Sequence, residues 1–141
     1  MEQDQISDRL EIADVITRYT RAIDTRNFDR LHEDVFTVDA VLDYSAVGGP
    51  VGPPVDVVPW IEQGLAGFDR YQHMVGQIEI VIDGDAARAT AYFTNPMVAR
   101  APDGTETLFE VGGYYHHQLR RTPDGWRSAG LVDDNVWSRG F

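Results

Sequence analysis

A chain of 141 residues, 43% hydrophobic and 25% charged, has the length and composition of one globular domain, so we expect a single domain over residues 1–141. Its formal net charge of -11 disfavours nucleic acid as a partner, because a phosphate backbone is bound by neutralising lysines and arginines. The absence of cysteine excludes disulfides, a thiol nucleophile and thiolate metal ligands.

The hydropathy pattern and the N-terminus predict a cytoplasmic protein without a membrane partner. No apolar run approaches the roughly 18 residues that a membrane helix needs. The acidic start Met1-Glu2-Gln3-Asp4 also lacks the basic and apolar regions of a secretion signal.

The first predicted element is an amphipathic helix that ends near Asp24, with Asp4 or Ser7 as its N-cap. Apolar or small residues recur there at steps of three and four, which is the spacing of one helix face. The predicted buried stripe consists of Ile6, Leu10, Ala13, Ile16, Thr20 and Ile23.

Two shorter helices are predicted next, one from Asn27 as N-cap and one from Asp56 as cap to about Gly67. Between them, Ser45 to Pro54 contains three glycines and three prolines and is predicted to be a surface loop and a candidate lid. The predicted inward residues are Phe28, Leu31 and Phe36 in the second helix, and Val57, Trp60, Ile61 and Leu65 in the third.

After the second helix, apolar residues recur at every second position instead of at the spacing of a helix. This predicts a strand with one inward face formed by Phe36, Val38, Ala40, Leu42 and Tyr44. Four further strands are predicted, separated by the hairpin signals Asp83-Gly84, Pro102-Asp103-Gly104 and Pro123-Asp124-Gly125. Helices followed by an antiparallel meander indicate an α+β fold, a cone-shaped barrel in which N-terminal helices pack in a curved, mainly antiparallel sheet.

His73 opens one of these strands. Simple alternation puts His73 and Val75 on the face opposite Ile78 and Ile80. If the aliphatic face is inward, His73 joins it only through a β-bulge, for which Gly76 is the expected site.

Several pieces of the chain resemble the SnoaL-like branch of the nuclear transport factor two-like superfamily, and within it scytalone dehydratase and the bile-acid dehydratases. The matching pieces are Tyr19-(four residues)-Asp24, Asn27-Phe28-Asp29-Arg30-Leu31, Leu42-Asp43-Tyr44, Gln72-His73, Asp124 to Leu131, and Val136-Trp137. The combination of Asp24, Tyr44 and His73 is more specific than the rest, which mainly indicates the fold.

The resemblance implies a cofactor-independent lyase that eliminates water from a hydroxylated cyclic or polyketide-like carbonyl compound. His73 would remove the proton next to the carbonyl and then help to protonate the departing hydroxyl. Asp24 would hold His73 and balance its charge, and Tyr44 with Tyr19 would polarise the carbonyl.

Three positions depart from scytalone dehydratase, which has a tyrosine in place of Ile23, a histidine in place of Met97 and an asparagine in place of Tyr115. The resemblance therefore implies a retained scaffold and base with a substrate other than scytalone. The predicted substrate pocket comprises Ile23, Trp60, Asn95, Met97, Tyr115 and His117.

Other functions remain open from the sequence. The same dyad would suit an isomerase or polyketide cyclase, and the same cone would suit a non-catalytic ligand-binding or dimerisation module in which Asp24 and His73 do not meet. No cofactor is expected, and His117 with His73 and Asp24 does not make a diagnostic metal set. An exposed outer face carrying Tyr92 and Tyr114 favours a homodimer or homotrimer.

Overall fold

The computed structural model describes residues 3–141, with side chains from residue 5 onward, so Met1, Glu2 and the side chain of the predicted cap Asp4 lie outside the described residues. Helix α1 spans Gln3–Asp24, a π-helical turn spans Leu31–Val35, a 3-10 turn spans Ser45–Val47, and helix α2 spans Pro54–Ala66. The strands are β1 Phe36–Asp43, β2 Val51–Gly52, β3 Arg70–Tyr71, β4 Met74–Asp83, β5 Ala86–Arg100, β6 Glu106–Thr122 and β7 Gly125–Arg139.

The seven strands of residues 3–141 form one mixed sheet in the order β2, β1, β7, β6, β5 and β3, and β4 also pairs with β5. Strand β1 runs parallel to β7, while the other pairs are antiparallel. This arrangement confirms the predicted α+β fold, because the strands from β4 to β7 form a meander that follows the helices.

The buried face of α1 differs in part from the predicted stripe. Ile16, Thr20 and Ile23 are buried as predicted, whereas Ile6 and Leu10 are 45% and 65% exposed. The helix already includes the predicted cap position Ser7, so that cap prediction is wrong.

Hydrogen bonds to the hairpin between β6 and β7 set the rotation of α1 about its axis. Asp8 accepts from the indole Nε1 of Trp126 at 3.0 Å, and Glu11 accepts from the backbone N–H of the same residue at 2.9 Å. Positions two residues apart lie about 200° apart on a helix, so Ile6 and Leu10 turn outward when Asp8 turns inward. The buried apolar face is therefore Ile12, Val15, Ile16, Tyr19, Ala22 and Ile23.

Helix α1 ends in a Schellman motif. The backbone N–H of Asn27 donates to Ala22 O at 2.9 Å, and that of Arg26 donates to Ile23 O at 3.0 Å. Arg26 takes the left-handed conformation that this motif requires, with φ of 57°. Asn27 is part of this helix end, and the helical turn that follows has Arg30 as its N-cap and not the predicted Asn27. The residues predicted to turn inward after it, Phe28, Leu31 and Phe36, are buried.

The alternation predicted for β1 holds at four inward positions, which are Phe36, Ala40, Leu42 and Tyr44. Val38 is instead 91% exposed, and Thr37 is buried. The pairing of β1 with β7 is irregular between Phe36 and Val41, and this interrupts the simple alternation.

The segment from Ser45 to Pro54 is more ordered than a plain surface loop, because β2 lies within it and pairs with β1. The backbone N–H of Tyr44 donates to Pro50 O at 3.0 Å. Gly49 packs on the indole of Trp60, where an added Cβ would lie 2.6 Å from a ring carbon. The segment therefore packs against Trp60, while closure as a lid stays a prediction.

Helix α2 begins at Pro54, with Pro53 as N-cap, and not after the predicted cap Asp56. Proline suits the first position because its missing N–H would have no helical partner. Of the residues predicted to be inward, Val57 and Ile61 are buried, and Trp60 and Leu65 are half-buried.

The outer face of the sheet carries several exposed apolar side chains: Met74, Tyr92, Val132, Val136 and Trp137. Tyr92 packs edge-to-face on Tyr114, with ring centroids 4.9 Å apart. Association of copies through this face stays a prediction. Within residues 3–141, no helix combines the length and the hydropathy needed to cross a membrane.

Candidate active site

A β-bulge turns His73 toward the interior, as the sequence predicted. Val75 pairs with Phe93 and Ile78 pairs with Ala91, so β4 has one more residue than β5 between these pairs. Gly76 and Gln77 together lie opposite the single residue Tyr92, so the alternation of side chains between the two faces of β4 is reversed there. His73 and Val75 before the bulge therefore share the inward face with the isoleucines after it.

His73 lies in the short gap between β3 and β4. Its backbone N–H does not join the sheet and donates to Asp24 Oδ2 at 2.9 Å, while its Nδ1 lies 2.7 Å from Asp24 Oδ1. The His73 and Asp24 side chains are 5% and 13% exposed. A carboxylate can only accept, so Nδ1 carries a proton and Nε2 of the neutral ring is left to accept one.

The helix end holds Asp24 against this gap. Asp24 is the last residue of α1. The hydroxyl of Tyr71 donates to Ile23 O at 2.8 Å, and the Arg26 guanidinium lies 4.8 Å from the centre of the Tyr71 ring. These contacts tie the end of the helix to β3, just before His73.

Tyr19 and Tyr44 form a second polar pair. Their hydroxyls are hydrogen-bonded to each other, and both side chains are buried. Burial raises the pKa of each phenol well above its ordinary value, so both keep their protons at neutral pH. Tyr19 thus contacts Tyr44 and not Asp24, from which it lies about 140° around the helix.

His73 and the tyrosine pair border one cavity of about 240 Å³. Its apolar lining includes Ile23, Val47, Trp60, Ile61, Leu65, Phe93, Met97, Val111 and Phe141, and its polar lining includes Tyr19, Tyr44, His73, Asn95, Tyr115 and Asp133. Asp24 is not part of the lining and meets the cavity only through His73. Five of the six predicted pocket residues line the cavity, and His117 does not.

His117 is a buried structural residue, which corrects its predicted place in the pocket. Its Nδ1 lies 2.8 Å from Ser128 Oγ, and that hydroxyl donates to Gly130 O at 3.0 Å. Desolvation, with a smaller effect of His116, lowers the pKa of His117 to about 3, so it is neutral. Among residues 5–141, no three His, Asp or Glu side chains converge as metal ligands.

Asn95 faces His73 from the neighbouring strand. Tyr71 pairs with Met97 and Met74 pairs with Thr94, so the register puts His73 opposite Asn95. Asn95 is 5% exposed, and its Oδ1 has no hydrogen-bond partner among the described residues. This amide is therefore available to a ligand beside the imidazole.

Asp133 is a site residue that the sequence pattern missed. It lines the cavity from β7 and is 7% exposed. Desolvation, followed by the charges of Asp134 and Asp43, raises its pKa to about 7. The pairing of β6 with β7 shifts between Gln118 and Leu119, so simple alternation along β7 could not assign its inward face.

The fold, in which helices pack in a cone-shaped, mainly antiparallel sheet, is the one seen in proteins of the nuclear transport factor two-like class. Residues 4–131 match the family model of the SnoaL-like domain. The chain is therefore a member of the SnoaL-like domain family, as its motifs predicted.

Two proteins are similar to this chain over nearly its whole length. Uncharacterized protein Rv2910c of Mycobacterium tuberculosis (strain ATCC 25618 / H37Rv) is 45% identical over 135 residues, which cover 96% of this chain and 90% of that protein. The crystal structure of Kfla4162 from Kribbella flavida has a TM-score of 0.86 and 25% identity, and the match covers 96% of this chain and 95% of that one.

Two further crystal structures, each 13% identical, show the likeness of fold alone. One is a provisionally named scytalone dehydratase of Novosphingobium aromaticivorans DSM 12444, with a TM-score of 0.86 and coverage of 100% of this chain and 92% of that one. The other is a type 2 hexachlorocyclohexane dehydrochlorinase, with a TM-score of 0.79 and coverage of 96% and 89%.

Proposed function

We propose that this protein is a cofactor-independent lyase, a dehydratase that eliminates water from a hydroxylated cyclic or polyketide-like carbonyl compound. The observation that carries the proposal is the 2.7 Å contact between His73 Nδ1 and Asp24 Oδ1 at the wall of the cavity. The His73 imidazole lines this cavity and can therefore act on a bound molecule, unlike the His116–Asp134 pair on the outer sheet face.

His73 is the base of the proposed reaction. With Nδ1 held by Asp24, Nε2 accepts the proton from the carbon next to the carbonyl, and the carboxylate stabilises the imidazolium that forms. Asp24 does not line the cavity and acts through the imidazole, so it is a positioning residue. Its second bond, to the backbone N–H of His73, fixes the carboxylate as well as the ring.

The tyrosine pair is the proposed partner of the substrate carbonyl. Both phenols keep their protons, so the pair can donate a hydrogen bond into the cavity while one hydroxyl supports the other. A donor fixed in a desolvated site stabilises negative charge on the carbonyl oxygen as the proton is removed. The apolar remainder of the lining suits a compact hydrophobic ring system.

The names of two proteins with the same fold support elimination as the reaction type. One is named as a scytalone dehydratase and the other as a dehydrochlorinase, and both names describe loss of a small group with formation of a double bond.

The proposal is tested by incubating wild-type protein and variants with a panel of cyclic β-hydroxy ketones and following products by mass spectrometry. His73→Gln should lower the rate by about a hundredfold or more, because the proton acceptor is lost. Asp24→Asn should lower kcat with little change in KM, since Asp24 is outside the cavity lining.

The matched control is His116→Gln on the outer sheet face, where the imidazole contacts Thr90 and Asp134. It should leave the rate unchanged. Products that have lost one water support a dehydratase, whereas products of unchanged mass would assign an isomerase or cyclase. Wild-type rates in His73→Gln would refute His73 as the base.

A further inference from the structure

Asp133 has no role in the reaction as described above. Among the described residues, it has the only side-chain carboxyl group in the cavity lining, and it projects from β7 opposite Tyr115. Its Oδ1 has no hydrogen-bond partner among residues 5–141. Both oxygens of Asp24, by contrast, accept hydrogen bonds from His73. The two carboxyl groups therefore differ in their hydrogen bonding: both oxygens of Asp24 have donors, whereas Asp133 Oδ1 has none.

The surroundings of Asp133 favour its protonated form. Burial raises its pKa to about 7, and the nearby carboxylates Asp134 and Asp43 act in the same direction. Three buried phenols interact with it electrostatically, and their own raised pKa values mean that they stay neutral: Tyr19, Tyr44 and Tyr115. Asp133 is thus a carboxylic acid that still holds a proton near neutral pH.

A purely structural role explains this arrangement poorly. A buried polar group without a hydrogen bond destabilises a fold by about 1 to 3 kcal/mol, and structural carboxyl groups are usually paired for that reason. An unpaired carboxyl group that faces a cavity has both a proton to give and room for the acceptor. Strongly perturbed acids in such clefts are common at reactive sites.

The sheet places Asp133 and His73 on different walls. His73 enters the cavity beside β5, whereas Asp133 enters from β7, with β6 between β5 and β7. We propose, on the basis of the lyase function above, that Asp133 is the catalytic acid that gives its proton to the departing hydroxyl group. In this scheme His73 acts only as the base that removes the proton, and it does not also protonate the leaving hydroxyl.

The step balances without any further reactant. The C–H bond next to the carbonyl breaks, its proton goes to His73 Nε2, and its electron pair forms the carbon–carbon double bond. The C–O bond of the β-hydroxyl breaks with its electron pair on oxygen, which takes the proton of Asp133 and leaves as water. Nothing is oxidised or reduced. Transfer of one proton from the imidazolium to the Asp133 carboxylate through solvent restores the enzyme.

The test varies the leaving group. A β-hydroxycyclohexanone and the matching β-chlorocyclohexanone both give cyclohexenone, which is followed by its ultraviolet absorbance. Hydroxide leaves well only when protonated, whereas chloride leaves without a proton. Asp133→Asn should lower enone formation from the hydroxy ketone by about a hundredfold or more and from the chloro ketone by less than about threefold.

Two controls separate this inference from the proposed function. His73→Gln should stop both substrates, because both need removal of the same proton. Asp124→Asn, in the exposed turn before β7, should affect neither. If wild-type protein makes no enone from either compound, the proposed lyase function fails and Asp133 loses its role with it. If wild-type protein is active and Asp133→Asn slows both substrates equally, or neither, Asp133 is not the proton donor.

A measurement without substrate guards against a variant that folds poorly. Carbon-13 NMR of wild-type protein labelled at its aspartate carboxyl carbons should show one carboxyl that is still protonated at about pH 6. The signal should be missing from Asp133→Asn. An Asp133 signal that is already ionised at that pH would overturn the assignment, whatever the kinetic results.

Discussion

Asp133 makes the folding stability of this protein depend on pH in a direction opposite to that of most acidic side chains. Its carboxyl group has an ordinary pKa of 3.8 and a pKa of about 7 in the folded protein. Between these two pH values the unfolded chain has released the proton and the folded protein still holds it. The folded state therefore loses stability as pH rises, and the loss is complete above about pH 7.

The size of the effect follows from the two pKa values. One pKa unit corresponds to about 1.4 kcal/mol, so the interval from 3.8 to about 7 is worth about 4 kcal/mol. Asp133 is only 7% exposed, so solvent screening reduces this figure little. Asp133→Asn cannot titrate and should escape the loss. Relative to the wild type, the variant should gain about 4 kcal/mol between about pH 4 and about pH 8.

Urea unfolding followed by tryptophan fluorescence at several pH values measures this difference, because Trp126 is fully buried in the folded protein. Comparing the variant with the wild type cancels the titration of the groups that both proteins share. Asp124→Asn, in the exposed turn before β7, is the matched control and should show no pH-dependent difference. A constant difference between wild type and Asp133→Asn across this range would refute a protonated Asp133.

Two further predictions concern the same scaffold. His117 has a pKa of about 3 in the folded protein and an ordinary pKa of 6.5, so the unfolded chain binds a proton before the folded protein does as pH falls. The free energy of unfolding of the wild type should therefore fall by about 5 kcal/mol relative to that of His117→Gln between about pH 6.5 and about pH 3. Urea unfolding of both proteins over this range measures the difference, and an equal pH dependence of the two would contradict it. Arg26→Gly should be more stable than Arg26→Ala by about 1 kcal/mol. Both variants lose the guanidinium, but only glycine adopts a φ of 57° without strain. Equal urea midpoints for the two variants would show that this helix end is not under strain.

The sequence predicted the fold well because its local signals agree with one another. The three hairpin signals separate β4, β5, β6 and β7 as expected, and helical periodicity precedes them. The errors fall where tertiary contacts override a regular pattern. Ile6 and Leu10 satisfy helical spacing, yet the bonds from Asp8 and Glu11 to Trp126 rotate the helix so that this stripe faces solvent.

The site was predicted in part, and the reason differs between its residues. His73, Asp24, Tyr19 and Tyr44 were found through a resemblance of motifs, and the bulge at Gly76 followed from a conflict between that resemblance and simple alternation. His117 was misplaced because alternation shows that a side chain points inward but not whether it reaches a cavity. It packs instead against Ser128.

The sequence pattern missed Asp133 because the pairing of β6 with β7 shifts register twice. An aspartate on β7 can be assigned to the interior only when these shifts are known. The sequence Asp133-Asp134 resembles an exposed acidic pair, and only Asp134 is exposed enough to fit that description. The sequence pattern of β7 therefore left open which of the two aspartates is buried.

Two carboxyl groups in one site are given different chemistry by their surroundings. Asp24 has both oxygens occupied by donors from His73, so it can orient a base but has nothing to give to a substrate. Asp133 has an unpartnered oxygen, negative neighbours and burial, all of which retain its proton. Exchanging the two environments would reverse the roles, because it is hydrogen bonding and desolvation that distinguish one aspartate from the other. The proposed removal of water would therefore use a supported base together with an unsupported acid in the same cavity.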